Sequence, residues 1–554
     1  MIRIFFGRNG FLPFLALFSA LAIFLLKVEH SVDGQNTRIS VIPVRGPTLV
    51  DSSLAGIVES PALAGILALS NRMEKAGEGM QAARFLSEQS DSVTDSLRSY
   101  LAYRSGQLYL SMNEDSLAAL AFRRCLKWKG APADARLMLA IARPGADTGW
   151  DARLAAIRRL LAAHPEYAAA HFRLGLLYQK RKMPEQALEA YQRALELFPN
   201  YKEARGNLAL VLGALGRTAE AITHLEKLVA MFPGKPEYHF NLARFQSRSN
   251  HRAIAIREYF KAISVKGGNY PEAFLNLALA YKETDKPDSS ELMLGKALAL
   301  KAEYPEAWYN LGLLDMNRKM FPQACAHFAN AIRFNPGYKE ARYNRGLAFA
   351  KSGGLDSAVA EYAAALALDS AYGKARIALA MRLRQLDRYG EAVSIYREGV
   401  RLDPENAEFW FGLGLTLRKM DSLTPAIAAY RKAIELDPED NKSVNNLGLA
   451  LAADHRREEA ITLLRGGVSQ FPDNAALRVS LAAQYLETGD TAAAVTELGK
   501  AVRLEPDRVD AQLQLGGILL GQGKKSEALL AYQRAIQAEP DNVQAKNALK
   551  TLEP

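Results

Sequence analysis

Residues 305–338, PEAWYNLGLLDMNRKMFPQACAHFANAIRFNPGY, are one unit of a repeat that decides the fold of this chain. The next unit begins 34 residues later (339 − 305 = 34). Leucine marks position 7 of nearly every unit, at Leu174, Leu208, Leu242, Leu277, Leu311, Leu379, Leu413, Leu447, Leu481 and Leu515. Arg345 takes one of these places, and one extra residue falls before Leu277. A fixed period of this size predicts a solenoid whose units bury their apolar faces only against their neighbours.

Each unit is predicted to form two helices. Positions 4, 7, 8 and 11 share one face of a first helix, and positions 20, 24 and 27 share one face of a second helix. Position 8 is always Gly or Ala, and position 20 is Ala except at Ser290. A larger side chain there would force the two helices apart. Proline at position 32 ends the second helix; it occurs at Pro199, Pro233, Pro336, Pro404, Pro438, Pro472, Pro506 and Pro540.

This combination of small, large and Pro positions resembles the tetratricopeptide repeat family. The resemblance covers eleven repeats over residues 168–542, about two-thirds of the 554-residue chain. It implies an all-α fold, in which antiparallel helix pairs stack into a right-handed superhelical solenoid. Proteins of this family bind partners and do not ordinarily catalyse reactions.

The pattern fades outside this array. Residues 61–167 are interpreted as degenerate repeats of the same kind, and residues 543–554 as a C-terminal capping helix. The repeat 271–304 is the weakest in the regular array, because Ser290 replaces Ala and Ala302 stands where Pro is expected. It is either a loop variation or a flexible joint.

The N-terminus carries an apolar segment, FLPFLALFSALAIFLL, at residues 11–26. As a helix its 16 residues would be about 24 Å long, slightly short of the roughly 30 Å hydrocarbon core. It is also slightly longer than the apolar region of a secretory signal peptide. We predict that residues 1–30 form a single transmembrane anchor, with a cleaved signal peptide as the alternative. Residues 31–60, rich in Gly and Pro, are predicted to be a linker.

Flanking charges predict the orientation of this anchor. Arg3 and Arg8 precede the apolar segment, whereas Lys27 beyond it is offset by Glu29 and Asp33. The excess of positive charge keeps the N-terminus in the cytoplasm. The repeats would then be extracytoplasmic, in the periplasm of a bacterium. Secretion after signal cleavage, or a cytoplasm-facing repeat domain, are the alternatives.

Composition argues against several classes of protein. The formal charge is +10, but no tract of Lys and Arg with interleaved aromatics indicates nucleic-acid binding. No catalytic motif, metal-ligand spacing or phosphate-binding loop is present, and the eight His residues are scattered. We therefore predict a protein that is not an enzyme, with no cofactor, no metal and no small-molecule substrate.

A ladder of asparagines is the main candidate binding feature. The family resemblance implies that first helices line a concave groove, with positions 2, 5, 6, 9 and 13 facing it. Position 6 carries Asn207, Asn241, Asn276, Asn310 and Asn344. A carboxamide can donate to and accept from the backbone of an extended peptide. The ladder is similar to the peptide-holding groove of O-GlcNAc transferases, but it breaks at Ala378 and Gly412, and no catalytic domain follows. Alternatively, these amides bond to the neighbouring repeat.

Other positions that face the groove carry apolar or acidic residues. At position 5, Phe240, Tyr309 and Tyr343 are predicted apolar anchors for a partner. Position 9 is apolar at Leu176, Leu210, Leu279, Leu313, Leu347, Leu415 and Leu449. Position 2 forms an acidic edge at Glu203, Glu237, Glu272, Glu306 and Glu340. This edge favours a basic or neutral segment.

Together these features predict a non-catalytic, membrane-anchored scaffold that holds protein or peptide partners during assembly of a membrane or envelope complex. The partner segment would lie in the groove of residues 202–372. Three alternatives stay open: an import receptor with cytoplasmic repeats, an accessory module of a separate glycosyltransferase, and a structural protein that binds through its convex face.

Overall fold

The computed structural model describes residues 66–552 apart from short gaps, and all regular structure in that part is helical. The gaps are residues 71, 74–78, 91–94, 113, 129–130, 133–134 and 143–149. The predicted anchor (1–30) and linker (31–60) lie outside the described residues. Among the helices of the described part, none is long and apolar enough to cross a membrane.

The chain divides into two compact units, one ending at Lys286 and the other beginning at Pro287. The boundary falls inside the repeat 271–304, the weakest of the regular array. The helices of the first unit are α1 (Gly79–Gln89), α2 (Asp95–Ser111), α3 (Asp115–Cys125), α4 (Ala135–Ala142), α5 (Trp150–Ala163), α6 (Ala168–Lys180), α7 (Pro184–Leu197), α8 (Lys202–Ala214), α9 (Thr218–Met231), α10 (Pro236–Arg248), α11 (Arg252–Val265) and α12 (Pro271–Glu283).

The second unit continues the same pattern of alternating helices. Its helices are α13 (Pro287–Leu300), α14 (Pro305–Asn317), α15 (Phe321–Phe334), α16 (Lys339–Lys351), α17 (Leu355–Leu368), α18 (Gly373–Gln385), α19 (Tyr389–Leu402), α20 (Ala407–Lys419), α21 (Leu423–Leu436), α22 (Asn441–Ala453), α23 (Arg457–Gln470), α24 (Ala475–Glu487), α25 (Thr491–Leu504), α26 (Val509–Gly521), α27 (Lys525–Ala538) and α28 (Val543–Leu552). From 168 to 542, every first helix covers positions 1–13 of its repeat and every second helix covers positions 17–30. The predicted all-helical architecture of repeated helix pairs is confirmed.

The small residues at positions 8 and 20 allow the two helices of a repeat to approach closely. A Cβ atom added to Gly175 would lie 2.5 Å from the ring of Tyr191 at position 24, and one added to Gly312 would lie 2.6 Å from the ring of Phe328. Both rings are fully buried, as is Ala324 at position 20. The aromatic side chain at position 24 therefore fills the space that position 8 leaves empty.

The turn between the two helices needs a left-handed residue at position 15. There φ ranges from 54° at Asp285 to 87° at Gly353. Glycine adopts this conformation without steric cost, but only four of the eleven repeats use it. The others place Lys182, Asn250, Asp285, Lys319, Asp387, Asp421 and His455 there. The next N–H then donates to the carbonyl at position 11, as Met320 does to Asp315 O over 2.8 Å, which ends the first helix.

In most repeats, position 4 holds a side-chain donor that links the first helix to the end of the preceding second helix. The donor bonds to the carbonyl oxygen six residues earlier, just beyond that second helix, where the backbone lacks a helical partner. The pairs are His171–Pro165, Arg205–Pro199, His239–Pro233, Trp308–Ala302, Arg376–Ser370, Trp410–Pro404, Arg478–Pro472 and Gln512–Pro506. His, Arg, Trp and Gln share only an N–H group, so no single residue type revealed this link in the sequence.

His239 also belongs to a buried charged cluster in the first unit. Its Nδ1 lies 2.7 Å from Oε2 of Glu258, and Lys261 donates to the other carboxylate oxygen over 2.9 Å. The Glu258 side chain is 4% exposed. Burial alone would raise the pKa of Glu258, but the hydrogen bonds from His239 and Lys261 outweigh it and lower the pKa below its ordinary 4.5.

Stability of the first unit is therefore expected to depend on ionised Glu258. Because the pKa of Glu258 is lower in the folded than in the unfolded state, its contribution is present above pH 4.5 and is lost as the pH falls through the folded value. Glu258→Gln should lower the free energy of unfolding at pH 6, and the difference from wild type should shrink at pH 3. Urea unfolding at both pH values measures this. The exposed Glu220→Gln is the control, and an equal Glu258→Gln effect at both pH values would refute the expectation.

Candidate functional site

The first helices of each unit lie side by side and present one face. At 100° per residue, positions 2, 5, 6, 9, 12 and 13 fall within one third of the helix circumference. Successive first helices contact one another directly, as α10 and α12 do in the first unit and α18 and α20 do in the second. These six positions are called the first-helix face below. All the predicted site residues lie on it: Asn207, Asn241 and Asn276 in the first unit, Asn310 and Asn344 in the second.

The asparagines share a common hydrogen bond. In four of the five predicted asparagines, Nδ2 donates to the backbone oxygen four residues earlier: Asn207 to Glu203 (2.9 Å), Asn276 to Glu272 (2.8 Å), Asn310 to Glu306 (2.7 Å) and Asn344 to Glu340 (2.9 Å). Asn344 also donates to Oη of Tyr309, in the preceding repeat, over 3.0 Å. For Asn207, Asn276 and Asn310, the carbonyl Oδ1 has no partner among the described residues. An amide has two N–H groups, so a donor and an acceptor both stay available.

The predicted aromatic anchors are half-buried rather than freely exposed. Phe240 packs against Tyr259 and Tyr270, with ring centroids 5.9 and 5.1 Å apart. In the second unit, Tyr309 packs against Phe328 and Tyr338, and Tyr343 packs against Tyr362 and Tyr372. A tyrosine just before the next first helix thus covers part of each ring. The anchors keep one edge on the first-helix face, and their role in binding stays a prediction.

The remaining predicted positions contribute a mixed surface. The position-9 leucines are half-buried, and Leu210 is 37% exposed. On the acidic edge, Glu237, Glu272 and Glu306 are exposed, whereas Glu203 and Glu340 are half-buried. Burial raises the pKa of Glu203, although Lys202 at 3.8 Å opposes this.

The break in the asparagine ladder at Gly412 has a steric cause. A Cβ atom at Gly412 would lie 2.4 Å from Cε1 and Cζ of Tyr396, which is 1% exposed. The ring of Tyr396 occupies the space that an asparagine would need. Ala378, the other break, is half-buried and already carries a Cβ atom.

Two arginines on the first-helix face were not identified from the sequence. Arg384 and Arg418 occupy position 12 in consecutive repeats, beyond the end of the asparagine ladder. Positions 2, 5, 6, 9 and 13 were predicted to face the groove, but position 12 was not. At position 12, the residue changes from Met316 and Ala350 to Arg384 and Arg418 along the second unit.

A metal site or enzyme site is not indicated by the described side chains. No group of three or more His, Cys, Asp or Glu residues in the described part of the chain could hold a metal ion. In the described part of the chain, the face presents extended rows of amide, aromatic and charged groups. Such rows suit recognition of another protein better than they suit catalysis.

The paired helices and the repeated face define a class: all-α repeat proteins that present side chains along stacked first helices. Models of one family, described as tetratricopeptide repeat, match residues 168–201, 190–223, 207–271, 313–372, 377–441, 416–476 and 480–543. These matches cover more than half of the chain. The chain belongs to the tetratricopeptide repeat family. No curated protein matches it.

Several solved structures are similar to this chain. YrrB, described as a TPR protein with an unusual peptide-binding site, is 22% identical; the match covers 36% of this chain and 97% of YrrB, with a TM-score of 0.31. The APC/C hetero-tetramer Cut9–Hcn1 is 13% identical over 89% of this chain and 96% of that chain, with a TM-score of 0.37. Yeast Tom70 is 18% identical over 70% and 88%, with a TM-score of 0.36. The family assignment rests on the repeat matches, not on these similarities.

Proposed function

We propose that this protein is a non-catalytic scaffold that holds an extended segment of a partner protein on its first-helix face. The asparagine rows carry this proposal: Asn207 and Asn276 in the first unit and Asn310 in the second each expose an unpaired Oδ1. The internal hydrogen bond of each amide fixes its orientation, so little side-chain entropy is lost when a partner binds. A row of fixed amides can form hydrogen bonds with a peptide backbone irrespective of the side chains of the peptide.

We propose further that residues 1–30 anchor the scaffold in a membrane, with the N-terminus cytoplasmic and the repeats extracytoplasmic. The support is the uncharged segment 11–26 and the position of Arg3 and Arg8 before it. Such a protein would keep its partner beside the membrane while a complex assembles. Protease digestion of sealed vesicles tests the orientation, since repeats degraded from the cytoplasmic side would contradict it.

Removing the exposed amides should weaken partner binding without unfolding the helices. We expect Asn310→Ala/Asn344→Ala, which changes only the second unit, to reduce affinity about tenfold or more, because each lost amide–backbone hydrogen bond contributes about 1 kcal/mol. Alanine is a better helix former than asparagine, so the helices should persist. The measurement is quantitative co-purification from gently solubilised membranes, followed by binding assays with the partner identified.

A matched variant controls for loss of any asparagine. Asn330→Ala removes an amide from α15, the second helix of the same repeat as Asn310, and should retain the partner. Asn241→Ala/Asn276→Ala tests the first unit in the same way. Partners retained by both double variants would contradict binding at the asparagine rows and would point to the second helices instead.

A further inference from the structure

Positive charge is concentrated on one first helix of the second unit. Helix α18 has four basic residues and no acidic residue: Lys374, Arg376, Arg382 and Arg384. The next first helix, α20, ends in Arg418 and Lys419. The asparagine ladder has stopped here, since position 6 is Ala378 in one repeat and Gly412 in the next.

Several arginines in this region are engaged within the fold, whereas the two on the first-helix face, Arg384 and Arg418, are not paired with acids. Arg376 donates to Ser370 O over 2.7 Å, and Arg345 pairs with Glu361 at 2.8 Å. Arg384 and Arg418, in contrast, make no salt bridge with any carboxylate of the described residues. A long contact of 3.5 Å joins Nη2 of Arg418 to Oδ1 of Asn446. Two half-buried guanidinium groups therefore lack a counter-ion.

These two guanidinium groups belong to neighbouring helices. Arg384 and Arg418 hold the same position in consecutive repeats, and their helices α18 and α20 are in direct contact. Burial raises the pKa of Tyr430, and the positive charges of Arg418 and Arg384 both oppose that shift. Their surroundings are apolar, with Met381 41% exposed at position 9. Cations on a partly apolar surface attract an anion more strongly than fully solvated ones.

We propose that the first-helix face of residues 373–440 binds acidic side chains of the partner segment through Arg384 and Arg418. The two unpaired charges require an anion, and a planar guanidinium matches a carboxylate in a bidentate geometry. The repeats at 305–372 carry Glu306 and Glu340 on the same face. Charge is therefore distributed unevenly along the bound segment, and its acidic residues lie over α18 and α20. This inference rests on the proposed function and specifies that the bound segment is acidic.

The test uses short fluorescein-labelled peptides of alternating Ser with Glu, Gln or Lys, and the full-length protein. Fluorescence anisotropy should show that the Glu peptide binds more tightly than the Gln and Lys peptides and loses affinity as salt rises. Arg384→Gln/Arg418→Gln should raise the Kd of the Glu peptide about tenfold or more, since each charged hydrogen bond is stronger than a neutral one. Circular dichroism checks that the variant is folded.

Equal charge removal elsewhere in the same repeats provides the control. Arg397→Gln/Arg431→Gln changes the second helices α19 and α21 and should leave the Kd unchanged. Arg384→Lys/Arg418→Lys keeps the charge but loses the bidentate geometry, so the Kd of the Glu peptide should rise several-fold while the salt dependence of binding is kept. This variant tests the inference even if the Gln variant unfolds. Equal losses in the two Gln variants, or no preference for the Glu peptide, would overturn the inference. The Asn310→Ala/Asn344→Ala variant separates the two proposals: if it alone loses the natural partner, the asparagine rows bind and the arginines do not.

Discussion

Replacing Gly412 by Asn is expected to destabilise the second unit by about 3 kcal/mol, although it extends the asparagine ladder. A Cβ atom at this position would lie 2.4 Å from Cζ and 2.7 Å from Oη of Tyr396. That ring is 1% exposed and packed on all sides, so it cannot move aside without disturbing its neighbours. The variant must either displace Tyr396 or separate α19 from α20.

Urea unfolding and hydrogen exchange of α19 and α20 measure this effect. Repeat proteins can open locally, so exchange in these two helices should rise first. Ala378→Asn is the matched control, because it fills the other gap in the ladder at a position that already accommodates a Cβ atom. We expect that change to alter stability by less than about 1 kcal/mol. Equal stability of the two variants would mean that the Tyr396 ring does not determine the residue at position 6.

The fold could be predicted from the sequence because its cause is local and repeated. Gly or Ala at position 8 faces a large side chain at position 24, and this steric pairing recurs in each repeat. Because the same small–large pattern occurs in eleven repeats, it predicts the helix pairs. The left-handed turn at position 15 was not predicted, because only four of its eleven residues are glycine and the others follow no common type.

The candidate face was predicted less completely, for reasons that lie in contacts between repeats. Tyr309 and Tyr343 have the expected register, but tyrosines at the following helix starts, Tyr338 and Tyr372, cover part of each ring. Helical periodicity shows which residues share a face, but it does not show which side chains of the adjacent repeat pack against them. The internal bonds of the asparagines have the same origin, since a residue pattern does not reveal where an amide donates.

The donors at position 4 lead to the second large effect, at Arg478. We expect Arg478→Leu to destabilise the second unit by about 3 kcal/mol, the cost of breaking a largely buried ion pair. The guanidinium pairs with Glu497 at 2.6 Å and donates twice to Pro472 O, over 3.1 and 2.6 Å. The two charged side chains are only 10% and 13% exposed. Leucine fills much of the volume but leaves the carboxylate and the carbonyl each short of a donor.

Two further variants identify the buried acid as the source of this loss. In Arg478→Leu, Glu497 keeps only Lys500, at 2.7 Å, as a charged partner among the described residues. The double variant Arg478→Leu/Glu497→Leu removes this largely buried carboxylate as well, so much of the stability should return. Arg431→Leu removes an exposed pair with Glu459, whose side chains are 51% and 42% exposed, and should change stability by only about 0.5 kcal/mol. Urea unfolding of the three variants compares these values. If the double variant is no more stable than Arg478→Leu, the link to Pro472 O is what position 4 mainly contributes. Phe274 and Val444, whose side chains have no N–H to donate, mark two repeats in which that link is missing.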